Sequence, residues 1–200
     1  MTRRLFAAVG AFGCGKTTTL VHLAQHYGHR VHEEAHNQVL RGLGKRMDGH
    51  PPDQGYARID EPEHFCPVCR PLEFCDLVLE RQAEIEAAAH DGDIVDHGWL
   101  DAVEYGCRNA GIERLPPGRR PSFAPYALVF LFAVMPELQR SRWGKTPAER
   151  AAECVAINRK LGAMYRAEGM TVIDVPPDTV ESRAGLVDAA IRACRMAPMN

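Results

Sequence analysis

Gly10-Ala11-Phe12-Gly13-Cys14-Gly15-Lys16-Thr17 satisfies the spacing G-x-x-x-x-G-K-[ST] at every specified position, and the chemistry that spacing serves is the holding of a polyphosphate. Glycines 10, 13 and 15 let the backbone turn tightly and aim its N–H groups at an anion with no Cβ in the way. Lys16 then reaches the β and γ phosphates, the Thr17 hydroxyl is placed for magnesium, and the N-terminus of the following helix favours negative charge. The residues expected around a nucleotide are Gly10, Gly13, Cys14, Gly15, Lys16, Thr17 and Thr18. For Cys14 two readings stand: a thiol acidified by the helix N-terminus, or a side chain turned into the packing.

Further candidates sit where strands should end. Asp96 closes the run Asp93-Ile94-Val95-Asp96 and suits the acid that orients a magnesium shell; the competing reading is an aspartate that starts a turn. Glu33 and Glu34 follow Arg30-Val31-His32. A carboxylate there can take the proton of an attacking hydroxyl or hold a substrate donor, or it can be a solvated glutamate favoured by a helix dipole. Asp101 either faces the same cleft or caps its helix. Arg140, Arg142 and Lys145 surround Trp143 and Gly144, and cations on such a segment can close over a triphosphate or form a solvated face.

Cys66-Pro67-Val68-Cys69-Arg70 has the spacing of half a zinc site. His64 and Cys75 are the nearest residues able to complete four ligands for a structural zinc, although Cys75 also fits the apolar side of a helix. A redox pair and unligated thiols are the other readings.

These side chains require elements that bring them together. Leu5–Val9 reads as a strand buried on both faces, and Thr17–Tyr27 as a helix stopped by Gly28. A brief strand at 30–32 precedes a helix over 35–43. Residues 45–71, punctuated by glycine and proline, form an irregular cysteine-containing insertion. A helix follows over 72–90, then the strand at 93–96 and a helix over 100–110. YALVFLFAV at 126–134 is the most hydrophobic run and the best central strand. Thr146-Pro147-Ala148-Glu149 spells a capping box with proline at the first helical position, opening a helix to about Glu168. A strand over 171–175 and a helix from 178 to about 195 complete the pattern. Alternation of this kind predicts an α/β fold, a three-layer, doubly wound, mainly parallel five-stranded sheet in one P-loop domain over 1–200.

Composition adds exclusions. With 200 residues, 46% hydrophobic side chains and a formal charge of −2, the chain suits a globular core and carries no bulk-charge signal for nucleic acid. The apolar stretch after Arg3 and Arg4 is too short for a signal peptide or a membrane span, and seven cysteines read as reduced thiols; a cytoplasmic location is expected. Nothing in the sequence marks an oligomeric state.

Taken in order, GAFGCGKTTTL, Glu33-Glu34-Ala35-His36, DHGWLDAVEY at 96–105, YALVFLF at 126–132, the arginine-bearing segment and VIDVP at 172–176 resemble the AAA-domain P-loop ATPase/kinase family that includes the NadR-type ribosylnicotinamide kinase domain. The resemblance runs from about Arg4 to Arg195. It implies strand order 2-3-1-4-5, Glu33 as the acid after the second strand, and Asp96 as the aspartate opening the family's D-R-G segment. This chain departs from the family in carrying His36 and His97 where arginine is usual. The resulting expectation is a magnesium-dependent kinase that transfers the γ-phosphoryl group of ATP to a small hydroxyl-bearing, nucleoside-like acceptor, with Lys16, Glu33, Asp96, Arg140 and Arg142 in catalytic roles. An NTP-hydrolysing regulatory switch acting on a macromolecular partner is the alternative.

Overall fold

The computed structural model describes residues 3–43, 65, 67–119, 122–142 and 144–197. Most of the insertion expected at 45–71, with His64 and Cys66, therefore lies outside the described residues.

Five strands make one parallel sheet in the order β2-β3-β1-β4-β5: β1 Phe6–Val9, β2 Val31–His32, β3 Ile94–Asp96, β4 Leu128–Phe132 and β5 Val172–Val175. Among the described residues six α-helices lie between and after them: α1 Lys16–Tyr27, α2 Ala35–Gly42, α3 Pro71–Ala88, α4 Trp99–Ala110, α5 Pro147–Ala167 and α6 Val180–Met196. The alternation of side chains along each strand divides the core into two layers. Leu5, Ala7 and Val9 join Val95, Val129 and Leu131 under α2 to α5, whereas Phe6 and Ala8 join Ile94, Phe130 and Phe132 under α1 and α6. Both faces of β1 are covered, which is why its sequence carries no polar alternation.

The expected elements are all present, with boundaries moved by identifiable contacts. The ladder of β4 is shorter than its apolar run because its partners β1 and β5 have four residues each. Tyr126, ahead of it, turns its hydroxyl into a buried polar network and accepts from the Trp99 N–H at 3.0 Å. Of the strands, β1 is the central one and β4 its neighbour. Asp93 stays outside β3 since its carboxylate binds the His90 N–H at 2.8 Å and His32 Nε2 at 2.7 Å. The capping box is formed: Thr146 N donates to Glu149 Oε2 at 2.8 Å and Glu149 N to Thr146 Oγ1 at 3.3 Å.

Candidate active site

The register of β1 against β3 places Ala8 beside Asp96, so the glycine loop leaves the sheet next to the end of β3. Lys16 Nζ lies 2.7 Å from Asp96 Oδ1, both side chains buried. Burial alone would favour the neutral forms. For Lys16 the Asp96 charge outweighs it and the ammonium is held above its ordinary value. For Asp96 the His97 hydrogen bond and the Lys16 charge outweigh it, leaving the carboxylate well below its usual range. Thr17 and Thr18 stand exposed on the first turn of α1, while Thr19 is buried and donates back to the Gly15 carbonyl at 3.1 Å.

Three side chains from distant elements hold the loop backbone. Asn158 of α5 accepts from Ala11 N at 2.6 Å and donates to the Phe132 carbonyl at 2.7 Å. Gln139 donates to the Phe12 carbonyl at 2.9 Å, and Arg183 of α6 donates to the Cys14 carbonyl at 2.8 Å. Gly13 and Gly15 have φ of 70° and 68°, and a Cβ there would fall 2.1 Å from Gln139 Nε2 and 2.7 Å from an Arg183 nitrogen. Glycine at these two positions therefore answers both conformation and space. Cys14 is buried in the same core layer as Leu20 and Phe132. Burial, opposed by Lys16, pushes its thiol up and away from reactivity, so the packed reading is the one realised.

At the corner between β3 and α4, His97 has a φ of 63°, in the left-handed region. Its Nδ1 lies 3.3 Å from each of Glu34 Oε1, Asp96 Oδ1 and Lys16 Nζ. Burial would lower its pKa, but the Glu34 charge and the Asp96 hydrogen bond prevail over Lys16 and raise it to about 8. Gly98 is wedged between two tyrosines, since a Cβ would come 2.3 Å from Tyr165 Oη and 2.7 Å from the Tyr126 ring. Behind it the Tyr126 hydroxyl and Gln82 both bind Glu86, and Gln82 also reaches the His97 carbonyl at 3.4 Å.

The two glutamates after β2 part company. Glu33 is exposed and held in a fork by Arg41, with both N–O distances 2.6 Å. Glu34 turns towards His97 and the cleft. Of the two, Glu34 is the carboxylate that lines the cleft, while Glu33, the residue that the resemblance implied as the acid, pairs with Arg41: successive side chains at the end of a strand face opposite ways.

That cleft, of about 240 Å³, runs from Gly10, Ala11 and Phe12 of the loop to Glu34, His97 and Asp101, with Leu40, Val78, Ile157 and Leu161 among its apolar walls. Asp101 thereby joins both readings given to it, lining the cleft and accepting from Gly98 N at 3.2 Å. His36 also lines the cleft, edge-on to Phe74 and Tyr105 with ring centroids 4.9 Å away in each case; burial, against the Glu34 charge, lowers its pKa. Of the segment after β4, Arg142 reaches the cleft and bridges Lys145 through paired backbone hydrogen bonds of 3.2 and 3.1 Å. Arg140 is exposed, and Lys145 pairs with Glu153 at 3.0 Å. A cation that the sequence left unremarked, Arg150, is buried over the Phe12 ring at 5.7 Å.

For the zinc set, His64 and Cys66 lie outside the described residues. Cys69 is buried, and Cys75 packs between α3 and α4, its thiol donating to the Ala102 carbonyl at 3.4 Å and pushed up to about 12, chiefly by burial. Cys75 is thus an apolar-face residue of its helix. Among the described residues no cluster of three or more metal-binding side chains occurs, and no described helix is long and apolar enough to cross a membrane.

A five-stranded parallel sheet of order 2-3-1-4-5 with a glycine loop between β1 and α1, its lysine meeting the acid at the end of β3, defines the P-loop kinase fold. Residues 5–183 match the AAA-domain family, and the chain belongs to it. Solved structures share the fold at low identity. They include deoxyadenosine kinase from M. mycoides with bound dATP (12% identity, TM-score 0.55, covering 94% of this chain and 99% of that one). Shikimate kinase from Acinetobacter baumannii in complex with shikimate is similar (16%, 0.56, 98% and 97%). The NadR protein in complex with NR matches with 12% identity and TM-score 0.57, over 99% of this chain but only 52% of that one, so the chain spans about half its length. No curated protein matches the sequence.

Proposed function

We propose that the protein is an ATP-dependent phosphotransferase that moves the γ-phosphoryl group to a hydroxyl of a small, nucleoside-like acceptor. The observation that carries this reading is a cleft that opens beside the Lys16–Asp96 pair and has a carboxylate, Glu34, in its wall. The loop amides and Lys16 hold the triphosphate, and Arg142, with Arg140 on the same segment, supplies positive charge over it. The acceptor lies in the cleft, where Glu34 orients its hydroxyl. That oxygen bonds to the γ phosphorus, the bond to the β-phosphate oxygen breaks, the hydroxyl proton goes to Glu34, and ADP leaves.

Magnesium fits the donors present. The exposed Thr17 hydroxyl and the ionised Asp96 are hard oxygen ligands, and both described contacts of Asp96 fall on Oδ1. When bound, the ion neutralises phosphate charge. The fold neighbours named for deoxyadenosine and for shikimate, both small hydroxyl-bearing molecules, support an acceptor of this class.

The test is ATP turnover with magnesium in the presence of nucleosides, ribosylnicotinamide, shikimate and simpler alcohols, following free phosphate and phosphorylated acceptor separately. Phosphorylated acceptor with little free phosphate is the expected result. Slow hydrolysis indifferent to every acceptor overturns the proposal in favour of a nucleotide-hydrolysing switch.

A further inference from the structure

Arg108 of α4 stands where two cavities meet. The cleft beside the phosphate loop shares Phe12, Tyr105, Arg108 and Ile157 with a second cavity of about 330 Å³. The two differ in charge. The cleft carries the carboxylates Glu34, Asp101 and Glu104, whereas the described lining of the second cavity carries three cations, Arg108, Lys145 and Arg150, and one acid, Glu153.

The guanidinium of Arg108 is held from one side only. Its Nε donates to both oxygens of the buried Glu104 at 3.2 Å, and its central carbon lies 5.2 Å from the centre of the Tyr105 ring. Among the described residues no acceptor reaches Nη1 or Nη2, and neither atom is shut away from solvent, the side chain being 29% exposed. Nor does Glu104 belong to Arg108 alone, since Lys160 Nζ lies 3.8 Å from the same carboxylate. Glu153 is likewise shared, 3.0 Å from Lys145 and 3.6 Å from Arg150. A guanidinium fork with its plane fixed by such contacts matches the paired oxygens of a carboxylate or a phosphate. A solvated surface arginine would need neither the buried anchor nor the ring beneath it.

We infer that Nη1 and Nη2 of Arg108 bind an oxyanion carried by the acceptor, a carboxylate or a phosphate ester remote from the reacting hydroxyl, so that the acceptor is a hydroxyl-bearing acid and not a neutral nucleoside. This rests on the phosphotransferase reading above. The bond to Glu104 shows that the side chain lies back over the preceding turn of α4. Its charge therefore sits near the level of residue 104, about six residues or roughly 9 Å along the helix from the Gly98 corner. Glu34, beside that corner through His97, lines the same cleft as Arg108. An occupant with a hydroxyl at one end and an oxyanion at the other meets both.

The test has a binding arm and a kinetic arm, each run on the wild type, Arg108→Gln and Arg108→Lys. The lysine variant keeps a cation beside Glu104 and removes the fork, so the comparison survives if the glutamine variant does not fold. For binding, protein saturated with magnesium and a non-hydrolysable ATP analogue, so that the phosphate loop is filled, is titrated calorimetrically with inorganic phosphate and with acetate. At least one of them is expected to bind the wild type, and both variants to bind it at least about tenfold more weakly. For kinetics, acceptors are compared in pairs that differ in the oxyanion: adenosine 3′-phosphate against adenosine, shikimate against its methyl ester, and glycerate against glycerol. The wild type is expected to favour the charged member by at least about tenfold in kcat/KM, and the variants to lose that preference through the KM for the acceptor, with the KM for ATP unchanged. The first pair reports a phosphate ester and the other two a carboxylate.

Loaded wild type that binds neither anion, or variants that bind them equally well, overturns the inference. Phosphorylation of the neutral members as readily as the charged ones also overturns it, while leaving the phosphotransferase intact. A rise in the KM for ATP in both variants would assign Arg108 to the nucleotide instead. ATP hydrolysis with no phosphorylated probe removes the phosphotransferase reading, and the inference with it.

Discussion

The Nδ1 of His97 stands 3.3 Å from Oε1 of Glu34, a contact between the end of β3 and the start of α2 that joins the two acids of the site through one imidazole. Because Asp96 and Lys16 are also within 3.3 Å, and Asp101 adds to the field, the charge on His97 sets the electrostatic state of the whole cluster. Its pKa is raised in the folded chain, so the stabilisation is fully present below about pH 6.5 and is lost as pH rises through about 8. For a partly buried group the effect is at most about 2 kcal/mol. Chemical denaturation at pH 6 and pH 9 should show the wild type losing more stability than His97→Gln; parallel losses would remove His97 from this role.

The two neighbouring glutamates offer a sharper contrast. Glu34→Gln is expected to lower acceptor phosphorylation by about 10² to 10⁴ with little change in the KM for ATP. Glu33→Gln breaks only an exposed pair with Arg41, worth less than about 1 kcal/mol, and should leave acceptor kinetics near wild type. Steady-state kinetics of both variants decide the matter. A crippled Glu33→Gln beside an active Glu34→Gln would return the role to position 33.

That contrast also shows how far the sequence was readable. The phosphate loop is contiguous, and alternating strands and helices imply the sheet, so the fold was legible from local pattern, as was the placing of Lys16 and Asp96 where the loop and the end of β3 meet. Which of Glu33 and Glu34 faces the cleft depends on the exit of the chain from β2 into α2 and on Arg41 capturing one of them, and neither fact has a local signature. Asn158 and Arg183 touch the loop across 147 and 169 residues of chain. On their helices they look like ordinary polar residues until the fold brings them to the backbone they hold.

Lys16→Ala removes the ammonium that meets the triphosphate and leaves Asp96 buried without its nearest cation. Nucleotide affinity or turnover should fall by at least about a hundredfold, measured by titration with ATP and by phosphate release. Retained ATPase activity at normal affinity would sink the assignment of the phosphate loop.

Asn158 tests whether the loop is held from outside. Its amide joins the Ala11 N–H to the Phe132 carbonyl, linking the loop to the end of β4. Asn158→Ala leaves both backbone groups unpaired, at a cost of about 1–3 kcal/mol for each that stays dry. Asn158→Asp keeps an acceptor for Ala11 but turns a carboxylate oxygen towards the Phe132 carbonyl, where two acceptors face each other. If the amide acts as a positioning brace, both variants weaken ATP binding, whereas Asn158→Gln recovers little because its longer stem displaces the amide from both partners. Calorimetric binding of ATP, with thermal unfolding of the same samples, separates the two effects. A loss of stability with unchanged ATP affinity would assign Asn158 to the core alone; weakened affinity in excess of the loss in stability shows that the loop conformation itself depends on this side chain of α5.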